Sequence, residues 1–227
     1  MQGDLYQTKG IEYLLVVAYL ALLGGTVKVL APRLARAFGT RGRRPMGPQA
    51  PWFFVADGCG FHQGHTWASE GRDPGLTVGL DDFAAQFVGP PDGFELPAVG
   101  AEIRQGGPGW TVRVGGRELP MLAPVDGKVI AVNQSVLESP RLAVEDPYGK
   151  GWLLKVQAQN EQLTLRNLLT GELASVWMRH TTERLRRLPA GGLGAVMADG
   201  GAPVRGFGRA LTPEEWRVVA RDFFLTG

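Results

Sequence analysis

Between Glu95 and Gln157 the chain runs as five short apolar segments, ELPAVGAEI, WTVRV, RELPMLAPV, GKVIAV and GWLLKVQ, each bounded by glycine, proline or asparagine. Segments this short, punctuated this often, are too brief for helices that bury a stripe, and they read as strands of a compact β sandwich or barrel. A faint internal echo agrees: Pro97, Gly100 and Ile103 recur with the same spacing at Pro124, Gly127 and Ile130, which predicts two similar strand-turn-strand units. Gly115 and Gly116 link WTVRV to RELPML. Glycine accepts the positive φ angles of primed turns, so this link predicts a tight hairpin with an exposed tip.

Helices flank the strands. PWFFVADG and HTWAS read as two further short strands, but Leu80 to Val88 places Leu80, Phe83, Ala84, Phe87 and Val88 on one helical face behind capping aspartates. Over residues 160–187 the positions of Leu163, Leu165, Leu168, Leu169, Leu173, Val176 and Trp177 predict one or two helices packed on the sheet. After a glycine-rich stretch, LTPEEWRVVARDFF opens with Thr212 as a cap, Pro213 at the first helical position and Glu215 at the capping-box position. Its apolar face, Trp216, Val219, Ala220 and Phe223, is expected to dock back on the domain.

The amino-terminal segment is of another kind. Tyr13 to Val27 carries no charge, and with Lys28 snorkelling the apolar run extends to Ala31. That is roughly 19 residues, close to the ~20 that a helix needs to cross a ~30 Å hydrocarbon core. Lys28, Arg33, Arg36, Arg41, Arg43 and Arg44 follow it, whereas only Lys9 precedes it, offset by Asp4 and Glu12. The positive-inside rule then places the carboxy-terminal bulk in the cytoplasm, beyond a single-pass anchor at residues 13–31. A buried helix or a surface-lying amphipathic helix are the alternatives; a cleaved signal peptide fits poorly because its charge belongs before the apolar run.

Charge and cysteine usage narrow the function. A net charge of +2 gives no global pull toward nucleic acid. Cys59 is the only cysteine, which excludes an internal disulfide and any all-cysteine metal site. Cys59, His62 and His65 form C-x2-H-x2-H, and thiolate with imidazole suits zinc or copper, although three ligands are few. His180 reads as a helix-surface residue, and no P-loop, dinucleotide fingerprint or serine-histidine-acid spacing is present. No catalytic residue is expected.

Several separated motifs, HTW, VGLDDFAAQFVG, ELPAVG, APVDGKVIAVN and ESPRLAVEDPYGKGWLLKV, occur in an order that resembles the H protein of the glycine cleavage system, over most of residues 62–156. The resemblance implies a mainly β, lipoyl-carrier-like barrel-sandwich hybrid with flanking helices, to which the sequence adds an N-terminal membrane helix. In that family a lysine in a Glu-Ser-Val-Lys-Ala segment at a hairpin tip carries lipoate and ferries an aminomethyl group between enzymes. Laid without a gap from ELPAVG to APVDG, this chain has Gly116 at the lysine position, Arg117 adjacent and Arg113 at the position of the glutamate. Glycine offers no amine, and a guanidinium stays protonated and is not an ordinary acyl acceptor. The chain's lysines, Lys9, Lys28, Lys128, Lys150 and Lys155, all fall elsewhere. Lipoate is therefore not expected, nor any other cofactor.

The predicted organisation is a membrane anchor helix with basic flank over 1–39, a linker over 40–51, the H-protein-like domain over 52–187, and a glycine-rich segment with a C-terminal helix over 188–227. The preferred reading is a membrane-anchored, non-lipoylated scaffold or binding subunit of a cytoplasmic-face complex, with membrane-associated protein subunits and the bilayer as partners. One alternative is a lipoate-dependent carrier of glycine cleavage, or of a related oxidoreductase system, that uses a displaced lysine. Another is a small metal-binding protein centred on Cys59, His62 and His65.

Overall fold

A computed structural model describes residues 13–22, 51–71, 74–188 and 203–226. The chain divides into two units, Met1–Thr40 and Arg41–Gly227.

In the first unit, residues 13–22 are helical, and the large apolar side chains from Tyr13 to Leu22 are exposed. Residues 13–22 rise by ~1.5 Å each and so span about 15 Å, half of a bilayer core. Among the described residues no helix is long and apolar enough to cross a membrane, so the expected membrane helix over 13–31 is not supported. The rest of that segment, the basic flank, the linker as far as residue 50 and the glycine-rich stretch 189–202 lie outside the described residues.

The second unit is built on two antiparallel sheets. Strands β1 (Gly60–His62), β2 (Thr66–Glu70), β3 (Leu76–Leu80), β5 (Glu102–Ile103), β8 (Gly127–Val132) and β9 (Leu154–Gln157) form one, in the order β1-β2-β3-β9-β8-β5. Strands β4 (Gly93–Glu95), β6 (Pro108–Val114) and β7 (Arg117–Leu122) form the other, in the order β4-β6-β7. Trp110, Val112 and Val114 on β6 and Leu119 and Met121 on β7 are buried and alternate along their strands with more exposed neighbours, the period-two pattern of a half-buried sheet. β3 is buried at every position.

The internal echo acquires a geometric meaning. β5 pairs with β8 through Ile103↔Gly127 and Glu102↔Lys128, and the turn before β5 joins in, with Gly100 N donating to Val129 O at 2.8 Å. The two Pro-x2-Gly-x2-Ile units therefore lie against one another rather than at a distance.

Helix Asp82–Val88 covers the core, capped by Asp81, whose Oδ1 accepts from Ala84 N at 2.8 Å. Phe83, Phe87, Phe207, Trp216, Phe223 and Phe224 join the same cluster as the sheet residues, so the C-terminal helix Pro213–Phe224 packs into the main core. Each such fully buried large side chain contributes about 1.5–3 kcal/mol. The two helices anticipated over 160–187 are Glu161–Arg166 and Gly171–Arg186. Two short helices, Gln134–Glu138 and Leu142–Glu145, precede β9.

One predicted strand is absent. PWFFVADG is irregular, although Phe53 is buried. Side chains from elsewhere satisfy its backbone: Phe54 N donates to Asp82 Oδ2 at 2.7 Å, and Phe54 O accepts from the Tyr148 hydroxyl at 2.8 Å. With those groups taken, this segment has no ladder to join.

Candidate functional site

Two turns carry the residues that the sequence singles out, and they are built in opposite ways. The first is the β6–β7 hairpin. Val114 pairs with Arg117, leaving Gly115 and Gly116 as the connecting residues with φ of 58° and 73°. Both angles lie in the left-handed region that primed two-residue turns demand. A side chain added at either glycine would meet nothing within 4 Å, so the tip is exposed as predicted. Gly115 N donates to Asp92 Oδ2 at 2.5 Å. Arg113 pairs with Glu95 across the β4–β6 register.

Arg117 turns inward. Its Nη2 donates to Leu211 O at 2.9 Å, and its guanidinium lies 5.2 Å from the centre of the Trp216 ring. Nη1 is buried without a hydrogen-bond partner among the described residues. Sequence alone gives no sign of this clamp, because its partners stand nearly a hundred residues away.

No primary amine sits at the tip, so a lipoyl group held through a lysine amide does not fit there. Lys128 is exposed on β8, between strands β5 and β9. Lys150 is exposed in the turn before β9, and Lys155 lies on β9 with its ammonium 5.5 Å from the centre of the Trp152 ring.

The second turn leads from β1 into β2. His65 has φ of 61°, unusual for a residue with a Cβ, and tertiary contacts hold it there. Its Nδ1 is 2.7 Å from Asp81 Oδ2, and its ring stacks on Phe83 at 4.0 Å and on Trp177 at 4.8 Å, with Phe224 edge-on at 5.6 Å. Asp81 N donates back to His65 O at 3.2 Å. Asp81 thus fixes the histidine with one oxygen and the helix with the other.

Beside this pair, Tyr148 OH accepts from Asp82 N at 2.9 Å while donating to Phe54 O. Burial, with Asp81 and Asp82 nearby, holds the tyrosine well above its ordinary pKa, so it stays a neutral hydroxyl. Gln86 Nε2 donates to Asp82 Oδ2 at 2.8 Å and to Trp52 O at 2.8 Å. Trp67 Nε1 donates to Pro147 O at 3.1 Å. Asp81 and Asp82 look like simple helix caps in the sequence and Asp146 to Trp152 like a turn; the structure commits both aspartates, and Pro147 O and Tyr148 from that turn, to buried polar contacts.

The proposed metal ligands do not converge. Cys59 is buried in a smaller cluster with Ala56, Phe61, Trp67, Tyr148 and Ala174. His65 is committed to Asp81, and His62 Nδ1 accepts from Gly64 N at 3.1 Å. Among the described residues no group of three or more His, Cys, Asp or Glu could hold a metal ion. Burial, and then the neighbouring His65, push the His62 pKa below its ordinary value. His180 is exposed on its helix, 3.8 Å from Glu183.

Comparison with known proteins gives the fold a context. The family described as Glycine cleavage H-protein matches residues 60–181. The chain is similar to the glycine cleavage system H protein of Carboxydothermus hydrogenoformans, 43% identical over 97 residues that cover 43% of this chain and 74% of the relative. It is similar to the probable glycine cleavage system H protein of Pyrococcus horikoshii, 32% identical over 125 residues covering 55% of this chain and 92% of the relative. A crystal structure of a glycine cleavage system H protein from Mycobacterium marinum aligns with 56% of this chain and 99% of its own, at 25% identity and a TM-score of 0.49. The family match and the sequence relatives favour an H-protein-like carrier over a membrane-anchored scaffold.

Proposed function

Because the chain belongs to the glycine cleavage H-protein family, we propose that it is a carrier-type subunit that docks through the family fold and bears no lipoyl arm at its β6–β7 hairpin. It is a non-catalytic protein, and its partners are other protein subunits. The observation that carries the armless reading is the hairpin tip itself: Gly115 and Gly116 occupy the turn, and neither provides an amine. Gly116 stands where the family's lysine is expected, and an arm needs its attachment point where the partner enzymes reach.

The second reading is a carrier loaded on a displaced lysine. The family matches support it, and Lys128 is exposed on a strand next to β5. Intact mass and lysine peptide mapping of the protein from its native source separate the two. An unmodified chain co-purifying with other proteins supports the armless subunit; a lipoyl adduct on Lys128, or on any lysine, overturns it.

We also propose that residues 13–31 tether the domain to a membrane with the carboxy-terminal bulk on the cytoplasmic side. Supporting this are the exposed apolar side chains along residues 13–22 and the basic residues that follow the apolar run. Carbonate-washed membranes should retain the full chain, and its release into the wash removes the tether.

A further inference from the structure

Residues 203–226 lie beyond the stretch shared with the family, yet they hold both flanks of the hairpin. On the β7 side, Arg117 donates to Leu211 O and faces Trp216, and Thr226 Oγ1 donates to Pro120 O at 3.2 Å. On the β4 side, Arg209 donates to Pro90 O and lies 3.6 Å from Asp92 Oδ1, whose other oxygen accepts from Gly115 N. Between them Gly206 N donates to Gln86 O at 2.6 Å. A Cβ at Gly89 would come within 2.6 Å of Gly206 Cα, so this approach of two backbones needs glycine.

β7 is the outer strand of its sheet, and an outer strand offers backbone groups to any chain that can pair with it. Pro120 has no N–H to offer, and its carbonyl is taken by Thr226. The edge is covered from within.

We propose that Pro203–Thr226 is a built-in cap that holds the β6–β7 hairpin away from protein partners, with Arg117 and Arg209 as its two latches. Trp216, Phe223 and Phe224 root the cap in the core, while the Arg209–Asp92 contact is exposed and therefore weak. The latches can open while the root holds. A partner that grips the flanks of the tip has to displace Arg117 from Leu211 and Arg209 from Asp92 first. The access arm of this proposal rests on the reading of the hairpin as the carrier surface; the cap itself does not.

The test uses the full chain. Gly116→Lys is offered to a lipoate–protein ligase with lipoate and ATP, alone and combined with Arg209→Ala, and the gain of one lipoyl group is followed by mass. About twofold to fivefold faster modification of the double variant is expected, because the Arg117 latch remains, and equal rates overturn the cap as a barrier to partners. Hydrogen–deuterium exchange is measured in parallel on the natural sequence and on Arg209→Ala, which leaves the buried helix residues in place. Exchange at residues 114–119 should rise about twofold to fivefold with β2 and β3 unchanged; unchanged exchange there overturns the latch. If neither lysine variant is modified, the hairpin is not a ligase-accessible carrier surface, which removes the access arm, and the exchange result alone decides the cap.

Discussion

His65 and Gly116 both take a positive φ, 61° and 73°, for different reasons. Gly116 reaches it at no steric cost and has nothing around it, whereas His65 is held by Asp81 and by the rings of Phe83, Trp177 and Phe224. The glycine turn is specified locally and leaves its tip open; the histidine turn is specified by residues from three other segments and is sealed. A turn held from several segments suffers when any one of its partners is removed, whereas the open glycine turn can take a side chain at its tip without collision.

The sharpest way to break this contrast is Asp81→Ala. The change leaves a buried histidine without its partner and removes the cap of helix Asp82–Val88, so unfolding free energy should fall by about 2–4 kcal/mol. Denaturant titration measures it. A loss below about 0.5 kcal/mol would show that ring stacking alone fixes His65. Tyr148→Phe should cost less, about 1–3 kcal/mol, because it leaves Asp82 N and Phe54 O without the hydroxyl that joins them. Its effect should be accompanied by faster exchange in residues 52–56, the irregular segment that this hydroxyl helps to hold.

Gly116→Lys probes the open turn. The strain of an L side chain at positive φ is about 1–2 kcal/mol, and no collision adds to it. The variant should fold with the same circular dichroism and a slightly lower midpoint. Gly116→Asn should lose less, since asparagine enters this region more readily. A loss above about 4 kcal/mol would mean that the tip is packed and the contrast false.

What could be read from the sequence follows the same division. The hairpin, helix Asp82–Val88 and the capping box at Thr212 and Glu215 rest on neighbouring residues, and their residue types announce them. Strand β3 is not announced by the sequence, because a strand buried at every position has no alternation to display. PWFFVADG has strand-like composition, but Asp82 and Tyr148 capture its backbone from a distance. The spacing of Cys59, His62 and His65 invited a metal, and Asp81 claimed one of the three. The Arg117 clamp was invisible for the same reason: Leu211 and Trp216 meet it only after the C-terminal helix has docked.

The smallest predicted effect sits at His62, on the rim of the sealed turn. Burial and the neighbouring His65 lower its pKa in the folded chain, while the unfolded chain keeps a value near 6.5. Above that value both states hold the neutral ring, and the contribution to stability is present in full. As pH falls through 6.5 the unfolded state takes up a proton that the folded state resists, so stability declines, and the decline ends once pH has passed below the folded pKa. The neutral ring is also the form whose Nδ1 can accept from Gly64 N, so protonation removes that hydrogen bond. His62→Asn supplies an oxygen acceptor that does not titrate, and it should flatten the stability profile between pH 7 and pH 5 relative to the natural chain. If the slope persists in His62→Asn, the proton taken up in that window belongs to another group, and the turn before β2 is less sealed than its geometry indicates.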